Sequence, residues 1–506
     1  MQKFLKGMDI SSLPVRLAEG AHLLDRDGSQ IDLFDLLDKY NVNSIRLRIW
    51  NNPELVPESG GHCNLAETAA FARQLKEHQL HFMLDFHYSD YWADPAQQNK
   101  PHLWADLPYE DLKKAVYDYT TEVLDTLAGE NALPDIVQVG NEIRSGMLFP
   151  DGEVPHYDRL AGLVNAGIQA VRDASDRYHS QIQVMIHLDQ GGRFYYLKEW
   201  FDAMFDAGML PIDCIGISFY SFWHGTFMDL RDSMMQLVER YHLPVCVVET
   251  AHPWRLDPAG HIHEEQMMTA GLPAGVEEQA KSLQLVMNIA ASIPDGMGMG
   301  VYYWEPLCYA SDKSDSWAVN MGIQDEQGQV LPAIEVFRGF AGADIPDLDR
   351  CMRELYANNR QQEVPAGTNL IPNGDFAQGL FGWWSEKSPK DAVSVEEREQ
   401  EIYVCGSQNF HFSLFRDVLV SEPGTYQFHV DYRGTNTTGV RVQMFIRIMG
   451  CNGEQLLTKE IFPSDVDFVT HKMTDIQLDA GTVQVGIQLD APPVFGRITN
   501  LRLTAQ

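Results

Sequence analysis

The sequence predicts a (β/α)8 TIM barrel followed by an antiparallel β-sandwich of the jelly-roll kind. Three observations carry this. Eight short β-rich runs alternate with amphipathic stretches through about residue 340. Several of those runs are almost wholly apolar, as strands buried on both faces must be. Beyond Phe340 the pattern turns to short alternating runs parted by Gly, Pro, Asn and Asp, the mark of antiparallel strands. Eight β-then-α units in this span exceed the ~250 residues typical of such barrels but suit the fold. A doubly wound open sheet is the alternative, and it lacks the GxGxxG that would follow its first strand.

In order, the first strand is Leu5–Ile10. The amphipathic stretch Asp32–Tyr40 leads to the second, Ser44–Trp50, and Leu65–His78 to the third, His81–His87. Tyr109–Leu127 precedes the fourth, Ile136–Glu142, and Asp158–His179 the fifth, Gln183–Leu188. Tyr196–Asp206 leads to Cys214–Tyr220, Met228–Tyr241 to Pro244–Thr250, and Val276–Ser292 to the eighth strand, Gly298–Glu305. A last helical stretch lies near Pro332–Phe340. Ala341–Asp349 reads as a connector, Arg350–Asn359 as one more helix and Gln361–Thr368 as linker. The expected domains are therefore a barrel over 1–345, a connector over 346–366 and a sandwich over 367–506. Tyr426–Tyr432, Val440–Ile448, Leu456–Phe462 and Val483–Leu489 are among the sandwich strands.

The 506 residues carry 38 Lys+Arg against 71 Asp+Glu, a net charge of −33. The sandwich holds 11 basic and 17 acidic residues, so −27 falls on the barrel and connector. Phosphate binding needs a basic face, so this acidity argues against nucleic acid, and equally against an anionic membrane. No apolar run reaches a membrane span; stretches such as Cys214–Trp223 are about half of one. The N-terminal segment lacks the apolar region of a signal peptide. Seven cysteines occur without a CxxC, and Cys214 and Cys246 sit inside apolar strand runs. These read as buried thiols in a reducing compartment. The sequence as it stands predicts a cytoplasmic protein; a leader removed from its N-terminus would make it a secreted one.

A barrel of this kind places its active site at the C-terminal strand ends. Those ends here carry Asp9; Arg46, Arg48 and Trp50; Asp85, His87 and Asp90; Asn141 and Glu142; His187 and Asp189; Ser218, Tyr220, Trp223 and His224; Glu249; and Trp304 and Glu305. Aromatic faces with carboxylates suit sugar rings, whose CH faces stack while their hydroxyls hydrogen-bond. Glu142 and Glu249 lie on strands four and seven, well separated around the ring, and can face each other across the mouth. Two carboxyls flanking one bond can run glycoside hydrolysis. A salt bridge of Glu249 with Arg46 or Arg48 is the plainer reading for one glutamate alone. Two in a sugar-compatible rim favour catalysis, with Glu305 and Asp85 left open as partners.

Seven segments at these ends resemble glycoside hydrolase family 53, the endo-β-1,4-galactanases. They are Lys6-Gly-Met-Asp-Ile-Ser-Ser12, Arg46-Leu-Arg-Ile-Trp50, Asp85-Phe-His-Tyr-Ser-Asp90 with Trp92-Ala-Asp-Pro95, Val137-Gln-Val-Gly-Asn-Glu142, Ser218-Phe-Tyr-Ser-Phe-Trp-His-Gly225, Val247-Val-Glu-Thr-Ala-His-Pro-Trp254 and Tyr303-Trp-Glu-Pro306. They run in the family's order over 4–340. The resemblance implies a retaining enzyme with Glu142 as acid/base and Glu249 as nucleophile. It implies Asn141 at the sugar 2-hydroxyl and Tyr220 holding the nucleophile, with Arg46 beside it. His87, Trp304, Trp223 and His224 would shape the subsite at the cleaved bond, and Asp85 and Arg46 are among the expected substrate-binding residues. Asp90 and Trp92 would flank more distant sugars, and Trp50 would pack. A histidine capping the core against Asp85 or Asp90 is the competing reading of His87.

The resemblance has departures. His252-Pro253 replaces the family's Tyr-Pro, and Ser221 replaces a proline, both near the subsites. Bacterial members often hold calcium after strands seven and eight. Asp257 and His261 are candidate ligands here, but His263 stands where calcium would prefer oxygen. No cofactor is required, and a structural calcium is the one metal considered. The sandwich opens Asn369-Leu-Ile-Pro-Asn-Gly-Asp-Phe376 and continues to Trp383-Trp384, which resembles galactose-binding-like jelly rolls and carbohydrate-binding modules. One of the two Trp would pack in the core. Trp384, Tyr432 and Arg433 are its candidate ligand contacts, against a sandwich that only stabilises the barrel. The expected substrate is galactan or a galacto-oligosaccharide. The rivals are a related β-glycanase acting on mannan or xylan, and a polysaccharide-binding protein without activity.

Overall fold

A computed structural model describes residues 3–256, 271–308 and 320–344. It also describes 262, 267, 348, 351 and 355, and 367–506 apart from 372, 378–379, 381–382, 390–391, 399, 421–422, 451–452 and 480. The chain divides into two compact units, 1–352 and 353–506. In the first, β1 (Leu5–Asp9), β2 (Ser44–Ile49), β3 (His81–Phe86), β4 (Ile136–Val139), β5 (Gln183–Leu188), β6 (Cys214–Ser218), β7 (Val245–Thr250) and β8 (Gly298–Trp304) close into a parallel barrel in chain order. β1, β2, β4, β6, β7 and β8 are buried at every residue, which explains why several of them read as nearly continuous apolar runs.

The helices between them are α1 (Leu13–Ala18), α2 (Leu33–Lys39), α3 (Leu65–Glu77), α4 (Tyr109–Gly129), α5 (Tyr157–Tyr178), α6 (Phe194–Asp206), α7 (Phe227–Tyr241), α8 (Val276–Ser292) and α9 (Ile334–Gly339). Their starts are written in the sequence. Asp32 accepts from the Phe34 amide and Asn64 from the Glu67 amide, while Thr226 and Asp229 form a capping box on α7.

The barrel interior is layered by the two-residue period of its strands. Leu5, Met83, Ile136, Met185, Cys214, Cys246 and Tyr302 belong to an apolar floor. Two residues further along, Met83 gives way to Asp85, Ile136 to Gln138 and Met185 to His187, all fully buried. Gly7 is needed for the floor to close, because a Cβ there would lie 2.2 Å from the Tyr302 ring.

The eight strands lie where the sequence puts them, with differences at their ends. The fourth strand stops at Val139 and not Glu142, because Gly140 (φ +89°) and Glu142 (φ +48°) turn left-handed. The sequence reading has no counterpart to α1 or to the two-residue strands Gly146–Met147 and Gly152–Glu153, which are too short to show a period.

The second unit is a two-sheet sandwich built from β9 (Trp384–Ser388), β10 (Val393–Arg398), β11 (Glu401–Gly406), β12 (Phe410–Val420), β13 (Gly424–Gly434), β14 (Arg441–Gly450), β15 (Gly453–Ile461), β16 (Val469–Leu478), β17 (Gly481–Ala491) and β18 (Phe495–Ala505). The sheets run β9-β12-β17-β14-β15 and β10-β11-β18-β13-β16. Their core holds Phe376, Trp383, Phe412, Tyr432, Val485 and Leu501. Trp383 is the packing tryptophan; its Nε1 donates to the Asn373 carbonyl at 3.0 Å. Tyr432 corrects the sequence reading. Strict alternation along β13 turns it into the core, where it is 0% exposed and out of reach of any ligand. Most of the expected helix Arg350–Asn359 and linker Gln361–Thr368 lies outside the described residues.

Candidate active site

Arg46 organises the polar layer above the floor. A guanidinium has five N–H hydrogens in a rigid fork. Here four oxygens accept from it, Gln138 Oε1 at 2.6 Å from Nε, Asp9 Oδ2 (2.7 Å) from Nη1, and Asp85 Oδ2 and Asn141 Oδ1 (both 2.9 Å) from Nη2, while Glu249 Oε1 forms an ion pair with Nη1 at 2.9 Å. Arg46 is 1% exposed, so it binds no sugar directly. It places the nucleophile candidate and the residue next to the acid candidate with one side chain.

The two glutamates sit in contrasting surroundings. Glu249 Oε1 faces Arg46, and Oε2 accepts from the Tyr220 hydroxyl at 3.0 Å. Burial pushes its carboxyl up to about 7, against the pull of Arg46 and Tyr220. Glu142 is half-buried and has no ion-pair partner among the described residues; its Oε1 lies 2.5 Å from Ser218 Oγ. Burial, then the charges of Glu249 and Asp189, hold Glu142 well above the usual carboxylate range. Ser218 touches Glu142 and is also the register partner of Glu249, so strand β6 links the pair. Of the two carboxyls Glu249 is the one faced by a cation, which favours its charged form.

Glu305 and Asp85, left open by spacing, are both committed elsewhere. Glu305 is held by Arg48 at 2.6 Å and by Ser12, and Asp85 by Arg46 and by His87 Nε2 at 3.1 Å. His87 Nδ1 accepts from the Ala93 amide at 3.0 Å and faces Trp50 Nε1 at 3.3 Å. Both ring nitrogens are thus spent on the protein, so His87 is the core-capping histidine and not a sugar ligand. Asp90 is corrected likewise: it accepts from the amides of Asn52 and His102 and pairs with the His102 ring, pinning two loops at 3% exposure.

Asn141 Oδ1 is taken by Arg46, and its Nδ2 gives one hydrogen to the Ala93 carbonyl at 2.8 Å. His224 Nδ1 stands 3.0 Å from the Ser218 carbonyl, and burial pushes the ring down to about 4. Trp92 and Trp304 gather 6.0 Å apart, with Arg48 4.1 Å over the Trp92 ring. Trp223 packs separately against Tyr220 and Phe222. Trp50 packs against His87, Tyr91 and Trp92, as expected. The sequence reading names His187 and Ser218 as strand ends but gives them no role. His187 Nδ1 lies 2.9 Å from Asn141 Oδ1 and its Nε2 2.8 Å from Ser218 Oγ. Their place in the two-residue period that carries Asp85 and Gln138 was the available signal.

The sandwich candidates do not converge. Trp384 is 44% exposed on β9, whereas Arg433 lies on β13 of the other sheet, with Nε donating to the Asp465 carbonyl. A cavity of about 500 Å³ at one sandwich edge is lined instead by Ser388, His411, Arg441 and Asp490, among others. Asp257 and His261 lie outside the described residues. Among the described residues no group of three or more His, Cys, Asp or Glu is arranged to hold a metal ion. Cys63, Cys214, Cys246, Cys308, Cys351 and Cys405 are free thiols. No helix among the described residues is long and apolar enough to cross a membrane.

The profile of glycosyl hydrolase family 53 matches residues 5–337. The chain is 34% identical over 323 residues to the arabinogalactan endo-beta-1,4-galactanase of Cellvibrio japonicus, covering 62% of this chain and 83% of that one. It is 43% identical over 356 residues to an "Uncharacterized protein in bgaB 5'region" of Niallia circulans, covering 67% and 94%. Among solved structures, the Ignisphaera aggregans GH53 catalytic domain aligns with a TM-score of 0.62 at 35% identity, over 66% of this chain and 95% of that one. A fungal beta-1,4-galactanase structure aligns at 0.60 and 30% identity, over 66% and 99%.

Proposed function

Because this chain belongs to glycosyl hydrolase family 53 and is a glycoside hydrolase, we propose that it cuts internal β-1,4-galactosidic bonds of galactan or arabinogalactan, the side chains of pectin, with retention of configuration. The observation that carries the mechanism is the contrast between the two carboxyls. Glu249, held by Arg46 and Tyr220, is the one suited to be ionised and attack the anomeric carbon. Glu142, surrounded by negative charge, is suited to hold a proton and give it to the departing oxygen.

The bond between the anomeric carbon and the leaving oxygen breaks as Glu249 forms an ester to that carbon. Glu142, now ionised, takes a proton from water, whose oxygen displaces Glu249 and restores both groups. Such double displacement requires carboxyls about 5–5.5 Å apart. Trp92, Trp304 and Trp223 offer ring faces for galactosyl units.

The test is incubation with β-1,4-galactan, resolving products over time and following their first anomer by NMR. Internal cleavage to short oligosaccharides that appear first as the β anomer is expected. An α anomer appearing first would contradict retention, and turnover of mannan or xylan in preference to galactan would contradict the substrate. Binding without release of reducing ends would contradict catalysis.

A further inference from the structure

The polar chain beneath Glu142 has a direction, which can be read from Arg46 outward. Arg46 Nη2 donates to Asn141 Oδ1 at 2.9 Å, so that oxygen is an acceptor. Turning that amide over would set its NH2 against Arg46 and its oxygen against the Ala93 carbonyl, so its orientation is fixed. The His187 nitrogen 2.9 Å from that oxygen, Nδ1, must therefore carry hydrogen. Arg46 Nη2 also approaches Nδ1 to 3.5 Å, but its closer bonds, both 2.9 Å, go to Asp85 and Asn141, and the Asn141 oxygen lies nearer to Nδ1 than Arg46 does. Burial, then Arg46, hold His187 well below the usual imidazole range, so the ring is neutral and has one N–H. Its Nε2 then accepts, and the Ser218 hydroxyl 2.8 Å away must donate to it. A serine has one hydrogen. The 2.5 Å contact from Ser218 Oγ to Glu142 Oε1 therefore needs its hydrogen from Glu142.

We propose that in the free enzyme Glu142 gives, and Ser218 takes, the hydrogen bond between them, so that His187 acts through Ser218 as the positioning residue that keeps the acid proton on Glu142. The inference rests on the reading of Glu142 as acid/base. Glu142 is faced by Glu249 from β7, by Asp189 beyond β5 and by Asp94 beyond β3. None of these offers its proton a better home or its charge a partner. His187 is faced by Arg46 from β2, Asp85 and His87 from the β3 end and His224 beyond β6.

The pH profile of kcat/KM, which reports free-enzyme groups, separates the two directions by sign. If Ser218 were an ordinary donor to an ionised Glu142, deleting it would disfavour the carboxylate and move the basic limb to higher pH. If Ser218 accepts, Ser218→Ala removes a partner of the protonated acid, and the basic limb moves to lower pH by about 0.5–1 unit. His187→Leu moves it the same way, because Ser218 is then free to donate to the carboxylate. Nitrogen-15 NMR of the unmodified enzyme, with the His187 ring assigned by His187→Gln, checks the wiring without relying on a variant's folding. It should show Nδ1 protonated and Nε2 bare. A basic limb that stays or rises, or a ring protonated at Nε2, overturns the assignment. Glu142→Ala made in parallel distinguishes the failures: wild-type turnover there would sink the acid/base reading itself, whereas loss of turnover with a wrong-way limb would sink only the relay.

Discussion

At the residue scale the site is a problem of matching donors to acceptors, and Arg46 solves most of it. Lys offers three hydrogens from one point and cannot reach five oxygens around a fork. Arg46→Lys should therefore leave buried carboxyls unpaired and lower stability by about 3–5 kcal/mol, read from urea unfolding. Tyr220 donates to Glu249 Oε2 and so favours its ionised form. Without that bond the carboxyl rises further, so Tyr220→Phe should move the acid limb of kcat/KM to higher pH. An unmoved limb would remove Tyr220 from the account. The identities of these residues were legible in the sequence, since each ends a strand. Their connections were not. Whether a rim histidine faces a sugar or a neighbouring aspartate, the two readings of His87, depends on loop amides such as that of Ala93, which no spacing encodes.

At the element scale the sequence was most legible where a period lasts several residues. All eight barrel strands and the helices from α2 to α9 lie at the stretches their apolar patterns mark. What it hid were departures from period. The left-handed backbone at Gly140 and Glu142 ends β4 early and lifts the acid candidate onto a short turn, and a run ending in Asn-Glu looks like strand throughout. The short pieces Leu13–Ala18 and Gly146–Met147 carry too few residues to show either period. The loop from β6 to α7 presents Tyr220, Trp223 and His224, and the α7 capping box closes it. Thr226→Ala should cost about 1 kcal/mol in urea unfolding. In the barrel floor, Gly7→Ala places a methyl against the Tyr302 ring and should cost about 1–3 kcal/mol, an overpacking that leaves the rim chemistry in place.

At the scale of the whole molecule, the sandwich strands were visible as alternation, and so was the face each residue takes. Tyr432 and Arg433 are neighbours in sequence and opposite in orientation, and the run Tyr426, Phe428, Val430, Tyr432 marks Tyr432 as a core residue. The charge of −33, concentrated on the barrel and connector, now has a definite consequence. A neutral galactan is not steered by that field. Its kcat/KM should thus vary by less than about twofold between low and high salt, a range over which screening would transform the binding of a charged polymer.

The central claim, that Glu249 attacks and Glu142 protonates, is tested most directly by azide rescue of the two alanine variants on an activated β-galactoside carrying at least one further sugar. Each variant should lose most turnover, by about 10²–10⁴-fold for the acid/base position. With Glu142→Ala, azide should open the glycosyl-enzyme and yield the β-glycosyl azide. With Glu249→Ala, azide should enter from the face the carboxylate vacates and yield the α-glycosyl azide. The opposite assignment of anomers, or wild-type turnover by either variant, would contradict it.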